Sequence, residues 1–186
     1  LALDSGLWEL RRGEISLVLG VDPETGAIPR EVAYTRTLFG EPRQWIGTDR
    51  GVYWRAVIDG KAHGSWHAYD HPIVEGFGLT RLVATQEEGR EELWVAGFGA
   101  GVARLRDDGS RRWRAGTGDL PTESIYSVRA TRGPQGERWV WVASRAGLLR
   151  FRGDEIQILD RRHGLPSDAV RNVEVVTGID GEQILW

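Results

Sequence analysis

The chain has 186 residues, with 24 basic and 27 acidic side chains and a formal net charge of −3 at pH 7. This balance leaves no basic face for a phosphate backbone, so the sequence predicts no nucleic-acid partner. Because cysteine is absent, disulfides, thiolate metal sites and a cysteine nucleophile are excluded, and no apolar run approaches the roughly 18 residues of a membrane helix.

The predicted elements are short β-strands that recur in sets of four. In each set, strand a follows a Pro or Gly turn, strand b carries a Trp, strand c follows a Gly, and strand d completes the set. Strands a are predicted within 28–37, 78–85, 120–131 and 165–177. Strands b and c are predicted within 45–54, 94–105 and 141–151, and strands d within 14–19, 64–70, 111–115 and 154–159.

Two residue types mark the repeat independently. The strand b tryptophans are Trp45, Trp94, Trp141 and Trp186, and the strand c glycines are Gly6, Gly51, Gly101 and Gly147. Both series recur every 45 to 50 residues. Alternation of two kinds of side chain, as in IYSVRA (125–130), is typical of a strand with two different faces. A four-stranded unit of this length is the size of a β-propeller blade.

The sequence therefore predicts an all-β fold, a β-propeller fragment of four-stranded antiparallel blades with about four repeats of 45–50 residues. We assign residues 1–20 to strands b–d of a partial blade, 21–71, 72–117 and 118–160 to three whole blades, and 161–186 to strands a–b of a further blade. Because both ends fall within strand b, we expect the chain to be part of a longer propeller. Strand a is expected nearest the central axis, and the strand b Trp between blades.

These motifs resemble the two-component regulator propeller repeat. HGLPSDAVRNVEVVTGIDGEQILW (163–186) follows its pattern nearly throughout, and QWIGTDRGVYW (44–54) carries the other half. Ala96 and Ala143 stand where the pattern has Gly, and residues 71–79 lack its Leu-Pro. The resemblance implies a periplasmic or extracytoplasmic sensor region of a bacterial inner-membrane receptor. A membrane helix and a histidine kinase or diguanylate cyclase module would then follow outside this segment.

The resemblance also implies what this segment contacts. It would recognise a small-molecule ligand, such as a carbohydrate or an anion, and would contact the remaining blades and output domains of the same protein. A homodimer is a further arrangement that the sequence leaves open. The repeat motif specifies the scaffold and carries no ligand code. No catalytic residue, resident metal or cofactor is predicted for the segment itself.

Candidate ligand-binding residues lie in the b–c and d–a loops. In propellers these loops emerge on one face around the mouth of the channel, and loops on a rigid scaffold often carry recognition residues. The loops carry seven candidates: Asp49, Arg50, Phe98, Asp119, Arg145, Arg162 and His163. Arginines suit an anionic ligand such as an acidic sugar, so we predict that Arg50, Arg145 and Arg162 help form a binding rim. For each of these arginines, the alternative interpretation is a solvated charge in a turn.

Two groups of residues, one of histidines and one of glycines, have spacings that are typical of other kinds of site, and each has two interpretations. His63, His67 and His71 would share one face of a helix and could hold a metal. Along a strand, neighbours would be about 13 Å apart, so only a tight loop would bring them together. Gly97, Gly99 and Gly101 form part of a dinucleotide fingerprint, but Val102 stands where Gly is required and a strand follows. Turn glycines are the favoured interpretation.

Two further features leave an alternative function open. Trp54, Trp66 and Trp113 fall outside the tryptophan register and are the freer candidates for stacking on a sugar, although core packing is favoured. VDPETG (21–26) is similar to the Asp-x-x-Thr-Gly turn of quinoprotein propellers, but it occurs once, and a plain turn suffices. The main interpretation is a ligand-sensing or protein-interaction propeller. The alternative is a propeller enzyme, streptogramin-lyase-like or quinoprotein-like.

Overall fold

The computed structural model describes residues 2–3, 6–11, 13–20, 26–87, 89–133, 135–179 and 182–186. Within these residues the chain is all-β, as the sequence predicts, and eighteen strands form five antiparallel sheets. The helical segments of the described chain are three 3₁₀ turns, Leu38–Gly40, Pro72–Val74 and Arg161–His163. A helix long and apolar enough to cross a membrane is not found among the described residues.

Three blades lie between two smaller sheets. The first sheet contains β1 (Ala2–Leu3), β2 (Gly6–Arg11) and β3 (Glu14–Gly20). Blade 1 contains β4 (Pro29–Thr35), β5 (Arg43–Thr48), β6 (Gly51–Ile58), β7 (Lys61–Ala62) and β8 (His67–Ala68). Blade 2 contains β9 (Gly78–Glu87), β10 (Arg90–Phe98), β11 (Gly101–Leu105) and β12 (Arg111–Trp113). Blade 3 contains β13 (Ile125–Arg132), β14 (Arg138–Ser144), β15 (Gly147–Arg152) and β16 (Glu155–Leu159). The last sheet contains β17 (Val175–Thr177) and β18 (Gln183–Leu185).

Each blade is an antiparallel meander in which the strands pair in chain order. The strand b tryptophans occupy equivalent register positions, with Trp45 opposite Ala33, Trp94 opposite Val83, and Trp141 opposite Arg129. The a–b ladder also shifts register near the start of strand a in each of the three blades. A bulge bends a strand and increases its twist, so it re-aims side chains at this end of the blade.

The hydrophobic core lies between the blades. Trp45 of blade 1 is buried with Leu93 and Leu105 of blade 2. One blade further on, Trp94 is buried with blade 3 residues, which include Val128, Val140 and Phe151. Trp141 of blade 3 is buried with residues beyond it, which include Val173 and the partly buried Leu185. Each blade thus buries its face against the next one, as the repeat predicts for Trp45, Trp94 and Trp141. The same prediction is wrong for Trp186, which follows β18 and is 77% exposed.

Two predicted strands differ from those observed. Strand d of blade 1 is split into β7 and β8, which both pair with β6. Gly64, between them, has φ of 75°, a conformation that interrupts an extended strand. In the last repeat, the strand predicted within 165–177 is limited to β17. The preceding residues follow blade 3 instead, and Val170 N donates to Ser144 O at 2.9 Å.

Candidate functional site

The b–c turns and d–a loops meet on one face of the blades. In blade 1 the Asp49 N–H donates to the carbonyl of Ile28, just before strand a, at 3.3 Å. In blade 3 the Arg145 N–H donates to the Ser124 carbonyl at 3.0 Å. Between blades 2 and 3, Gly99 N donates to Glu123 O at 2.8 Å. These backbone bonds fix the turns against the loops, so side chains at this face have a rigid base.

Asp49 and Arg50 line a cavity of about 710 Å³ on this face. Its other walls come from residues 51–53, 68–72 and 74–78, which include the aromatic side chains of Tyr69 and His71. The carboxylate of Asp49 accepts a hydrogen bond from Ile28 N at 2.7 Å, so Asp49 holds the loop as well as facing the cavity. Arg50 is exposed. A guanidinium at a cavity edge can bind an oxyanion.

Phe98, Asp119 and Arg145 lie elsewhere along the same loops. Phe98 is 50% exposed, and its ring centroid is 6.1 Å from that of Tyr126. Asp119 accepts a short hydrogen bond from the Thr117 hydroxyl within its own loop. Arg145 is exposed at the b–c turn of blade 3.

Arg162 and His163 belong to a capped 3₁₀ turn. Asp160 accepts hydrogen bonds from Arg162 Nη2 at 2.6 Å and Arg162 Nε at 2.9 Å, and its other oxygen is 2.9 Å from His163 Nδ1. The bond from Arg162 is the main reason why the pKa of Asp160 lies far below its usual range. The Arg162 side chain is still 84% exposed. It is therefore an ion-paired cation at the surface.

Within the described chain the seven candidates do not line a single cavity. Asp49 and Arg50 line the first cavity, and Phe98 lines a separate one of about 390 Å³ with Arg30, Arg81, Ile125 and Tyr126. Neither lining includes Asp119, Arg145, Arg162 or His163. The binding rim of Arg50, Arg145 and Arg162 therefore remains a prediction.

A polar cleft on the axis was not anticipated from the sequence. The cleft has a volume of about 720 Å³, and residues of β4, β9 and β13 line it together with residues 171, 172 and 174 of the last repeat. Strands β4, β9 and β13 contact one another in succession, which places strand a of each blade at the inner edge. Arginines line the cleft in all four repeats: Arg30, Arg81, Arg129 and Arg171. These arginines recur in the sequence, in PREV, TRLV, SVRA and VRNV. The sequence does not show which face of strand a points toward the axis.

Arg129 lies between two carboxylates in this cleft. Its Nη1 is 2.9 Å from Glu31 Oε1, and its Nη2 and Nε are 3.1 and 3.2 Å from the two oxygens of Glu174. Burial raises the pKa of Glu31 by more than Arg129 lowers it. The hydrogen bond from Arg129 lowers the pKa of Glu174. Glu31 also accepts a hydrogen bond from Leu82 N at 3.2 Å, so the group ties three successive repeats to blade 1.

The glycine run and two of the three histidines have local roles, and His63 is exposed. The His67 ring lies 5.2 Å from Trp54, whereas His71 stacks on Tyr69 and its Nδ1 accepts a hydrogen bond from Ile73 N at 3.2 Å. Among the described residues no group of three His, Asp or Glu side chains is placed to hold a metal. Gly97 to Gly101 form the turn of the β10–β11 hairpin, and Gly101 pairs with Gly97.

The tryptophans outside the register differ in burial. Trp113 is buried and stacks on Trp94 with centroids 5.5 Å apart. Trp54 and Trp66 are half-buried, and the guanidinium groups of Arg43 and Arg55 lie 3.9 and 4.4 Å from their rings. Packing therefore accounts for Trp113, and cation–π contacts occupy the other two. Residues 21–25 of the quinoprotein-like turn lie outside the described residues.

The ladders, the tryptophans between blades and the inner position of strand a identify the fold as β-propeller blades. The chain is similar in structure to the extracellular domain of a hybrid two-component system from B. thetaiotaomicron, with a TM-score of 0.61 and 20% sequence identity. The similarity covers 91% of this chain and 22% of that one. At this identity it shows a shared fold. No family model matches the sequence, and no curated protein matches it significantly.

Proposed function

We propose that the chain is part of the ligand-sensing region of a bacterial membrane signalling receptor, on the periplasmic or extracytoplasmic side. The observation that carries this proposal is the structural similarity to the extracellular domain of a hybrid two-component system over 91% of the chain. The repeat motifs at 44–54 and 163–186 support it independently, because they resemble the two-component regulator propeller repeat.

The proposed role of this segment is recognition, and catalysis would belong to an output module elsewhere in the protein. Buried strands form the scaffold, while polar side chains collect in loops and in the axial cleft, where a ligand can be contacted without disturbing the core. The ligand would be a small molecule such as a carbohydrate or an anion. A blade interface that changes on binding could pass the signal to neighbouring blades and to the output domains.

The rim residues supply the first test of this function. Arg50, Arg145 and Arg162 are each replaced by Ala in the full-length receptor, and kinase or cyclase output and ligand affinity are measured. Because each arginine lies in a loop of the binding face, we expect weaker ligand affinity and a higher ligand concentration for half-maximal output. If output and affinity survive all three replacements, the binding face is elsewhere. If the wild-type receptor produces no ligand-dependent output at all, the sensing function itself is wrong.

A further inference from the structure

The axial cleft combines several cations with fewer anions. Its lining contains four arginines and two carboxylates. Both carboxylates are bound to a single arginine, because Glu31 and Glu174 each contact Arg129. Arg81 and Arg171 form no direct pair with these carboxylates within the described chain. An oxyanion is the group that such a site would attract.

Arg81 and Arg171, from different repeats, both contact Tyr126. Arg81 Nε donates to the carbonyl of Tyr126 at 3.4 Å. The guanidinium of Arg171 lies 4.9 Å from the centroid of the Tyr126 ring. Neither arginine has an ion pair with a carboxylate within 4.0 Å among the residues that the structure describes. Both side chains keep donors available for a ligand, since a guanidinium has five N–H groups.

The cleft continues into an apolar pocket. The smaller cavity of about 390 Å³ shares Arg30, Arg81 and Tyr126 with the cleft and adds Phe98 and Ile125. An anionic group held by the guanidinium groups would therefore lie next to aromatic surface that can contact the rest of a small molecule. Strands β4, β9 and β13 supply most of the lining and hold Arg81 and Tyr126 on rigid elements, whereas Arg171 lies in the irregular segment before β17.

We propose that the axial cleft binds a small organic anion, whose carboxylate, phosphate or sulfate group contacts Arg81 and Arg171 and whose remaining atoms pack against Tyr126 and Phe98. The inference rests on the proposed sensing function and names the ligand class and the site within it. Arginine is suited to this role because its planar fork can donate two parallel hydrogen bonds to an oxyanion. The rim loops would then surround the entrance, and the charge of the ligand would be recognised at the axis.

The test uses the full-length receptor in detergent and two probes, citrate and inorganic phosphate. Affinity is measured by isothermal titration calorimetry at low and high NaCl. We expect Arg81→Gln and Arg171→Gln each to raise the Kd for citrate about 10-fold or more, since each removes a charged donor. Arg81→Lys should retain only part of the affinity, because the charge remains but the two parallel hydrogen bonds are lost. Wild-type affinity should fall as NaCl rises.

Arg36→Gln is the matched control, because Arg36 is exposed at the far end of β4 from the cleft. Its Kd for citrate should stay within about twofold of wild type, and equal melting temperatures should show that the variants fold. Equal citrate affinity in all variants would overturn the proposal, as would loss of affinity in the rim variants with retention in Arg81→Gln. Binding of a neutral sugar with ligand-dependent output, but of neither citrate nor phosphate, would overturn the anion site and leave the sensing function standing.

Discussion

Trp94 shows how one residue holds two blades together. Its side chain is 1% exposed, stacks on Trp113, and meets Phe151 of blade 3 edge-on at 5.2 Å. Its indole N–H donates to the buried Glu92 at 3.1 Å. In blades 1 and 3 the equivalent indoles donate to Thr35 and Thr131, both at 2.9 Å. The tryptophan repeat thus marks a buried contact and its hydrogen bond together.

We expect Trp94→Ala to lower the free energy of unfolding by about 3 to 5 kcal/mol, because it leaves a cavity between blades 2 and 3. Urea denaturation of the protein, followed by circular dichroism, measures this loss. Phe98→Ala is the control, since Phe98 is half-exposed and should cost far less. An unchanged midpoint for Trp94→Ala would contradict the buried contact between blades.

Glycine recurs at the start of strand c for a different reason, which is backbone geometry. Gly101 has φ of 87°, and a Cβ there would lie 2.3 Å from the carbonyl oxygen of Trp113 on the neighbouring strand d. We expect Gly101→Ala to destabilise the blade by at least about 1 to 2 kcal/mol, since both the left-handed conformation and the contact oppose a side chain. Thermal unfolding measures the effect.

Gly116→Ala provides the comparison for Gly101→Ala. Gly116 does not have a positive φ, and no atom lies within 4 Å of the Cβ position. This change should leave the midpoint nearly unchanged or slightly higher. A similar loss of stability in Gly101→Ala and Gly116→Ala would show that the effect comes from replacing any glycine, and not from the position of Gly101.

At the scale of elements, a carboxylate of blade 2 fastens a loop of blade 1. Glu91 Oε2 accepts hydrogen bonds from Arg36 N and Thr37 N, both at 2.6 Å, and from Leu38 N at 3.1 Å. Asp107 Oδ1 accepts from Phe39 N at 2.6 Å. Partial burial raises the pKa of Glu91, but the backbone donors outweigh it and hold the pKa below its ordinary value of 4.5.

This lowered pKa predicts acid sensitivity. The contribution of Glu91 to stability is fully present above the pKa of the unfolded chain, and it is lost as pH falls through the lower pKa of the folded state. We expect Glu91→Gln to cost roughly 1 kcal/mol at pH 7, discounted for partial solvation, and to flatten the loss of stability below about pH 4.5. Denaturant midpoints from pH 7 to pH 3 measure both effects. Glu41, which is exposed and pairs with Arg43, is the control, and Glu41→Gln should show neither effect. An equal loss of stability with falling pH in wild type and in Glu91→Gln would contradict the role of Glu91 in holding the loop of blade 1.

The elements also show where sequence reasoning reaches its limit. The strands a, b and c follow from markers that recur because each blade repeats one interface. Strand d is less regular: β8 has two residues and β16 has five, since Gly64 interrupts the strand in blade 1. Backbone hydrogen bonds join b–c turns to d–a loops, but a binding role for the candidate residues of these loops is still a prediction. The axial cleft depends on inward register and on residues from four repeats. A local sequence pattern predicts neither the inward register of strand a nor which residues of the four repeats meet.

At the scale of the whole molecule, the two outer sheets expose apolar side chains. Ile15 and Leu17 of β3 are at least half exposed, as is Trp186 at 77%. Ile184 of β18 is 44% exposed. The equivalent faces between blades 1, 2 and 3 are buried against a neighbouring blade. A repeat architecture is stabilised mainly by such contacts between neighbours, so faces that lack them are the weak points of the assembly.

We therefore expect the isolated 186-residue polypeptide to self-associate or to unfold with low cooperativity. Apolar faces and unpaired strand edges provide surfaces on which a second copy can pair. Sedimentation velocity over a hundredfold range of concentration measures association, and calorimetry measures cooperativity. Replacing Ile184 and Trp186 by Ser should reduce association, whereas the same change at exposed Arg145 and Arg162 should not, because those side chains lie on the loop face. A monodisperse monomer that melts sharply and reversibly would show that the five sheets are stable without further neighbours.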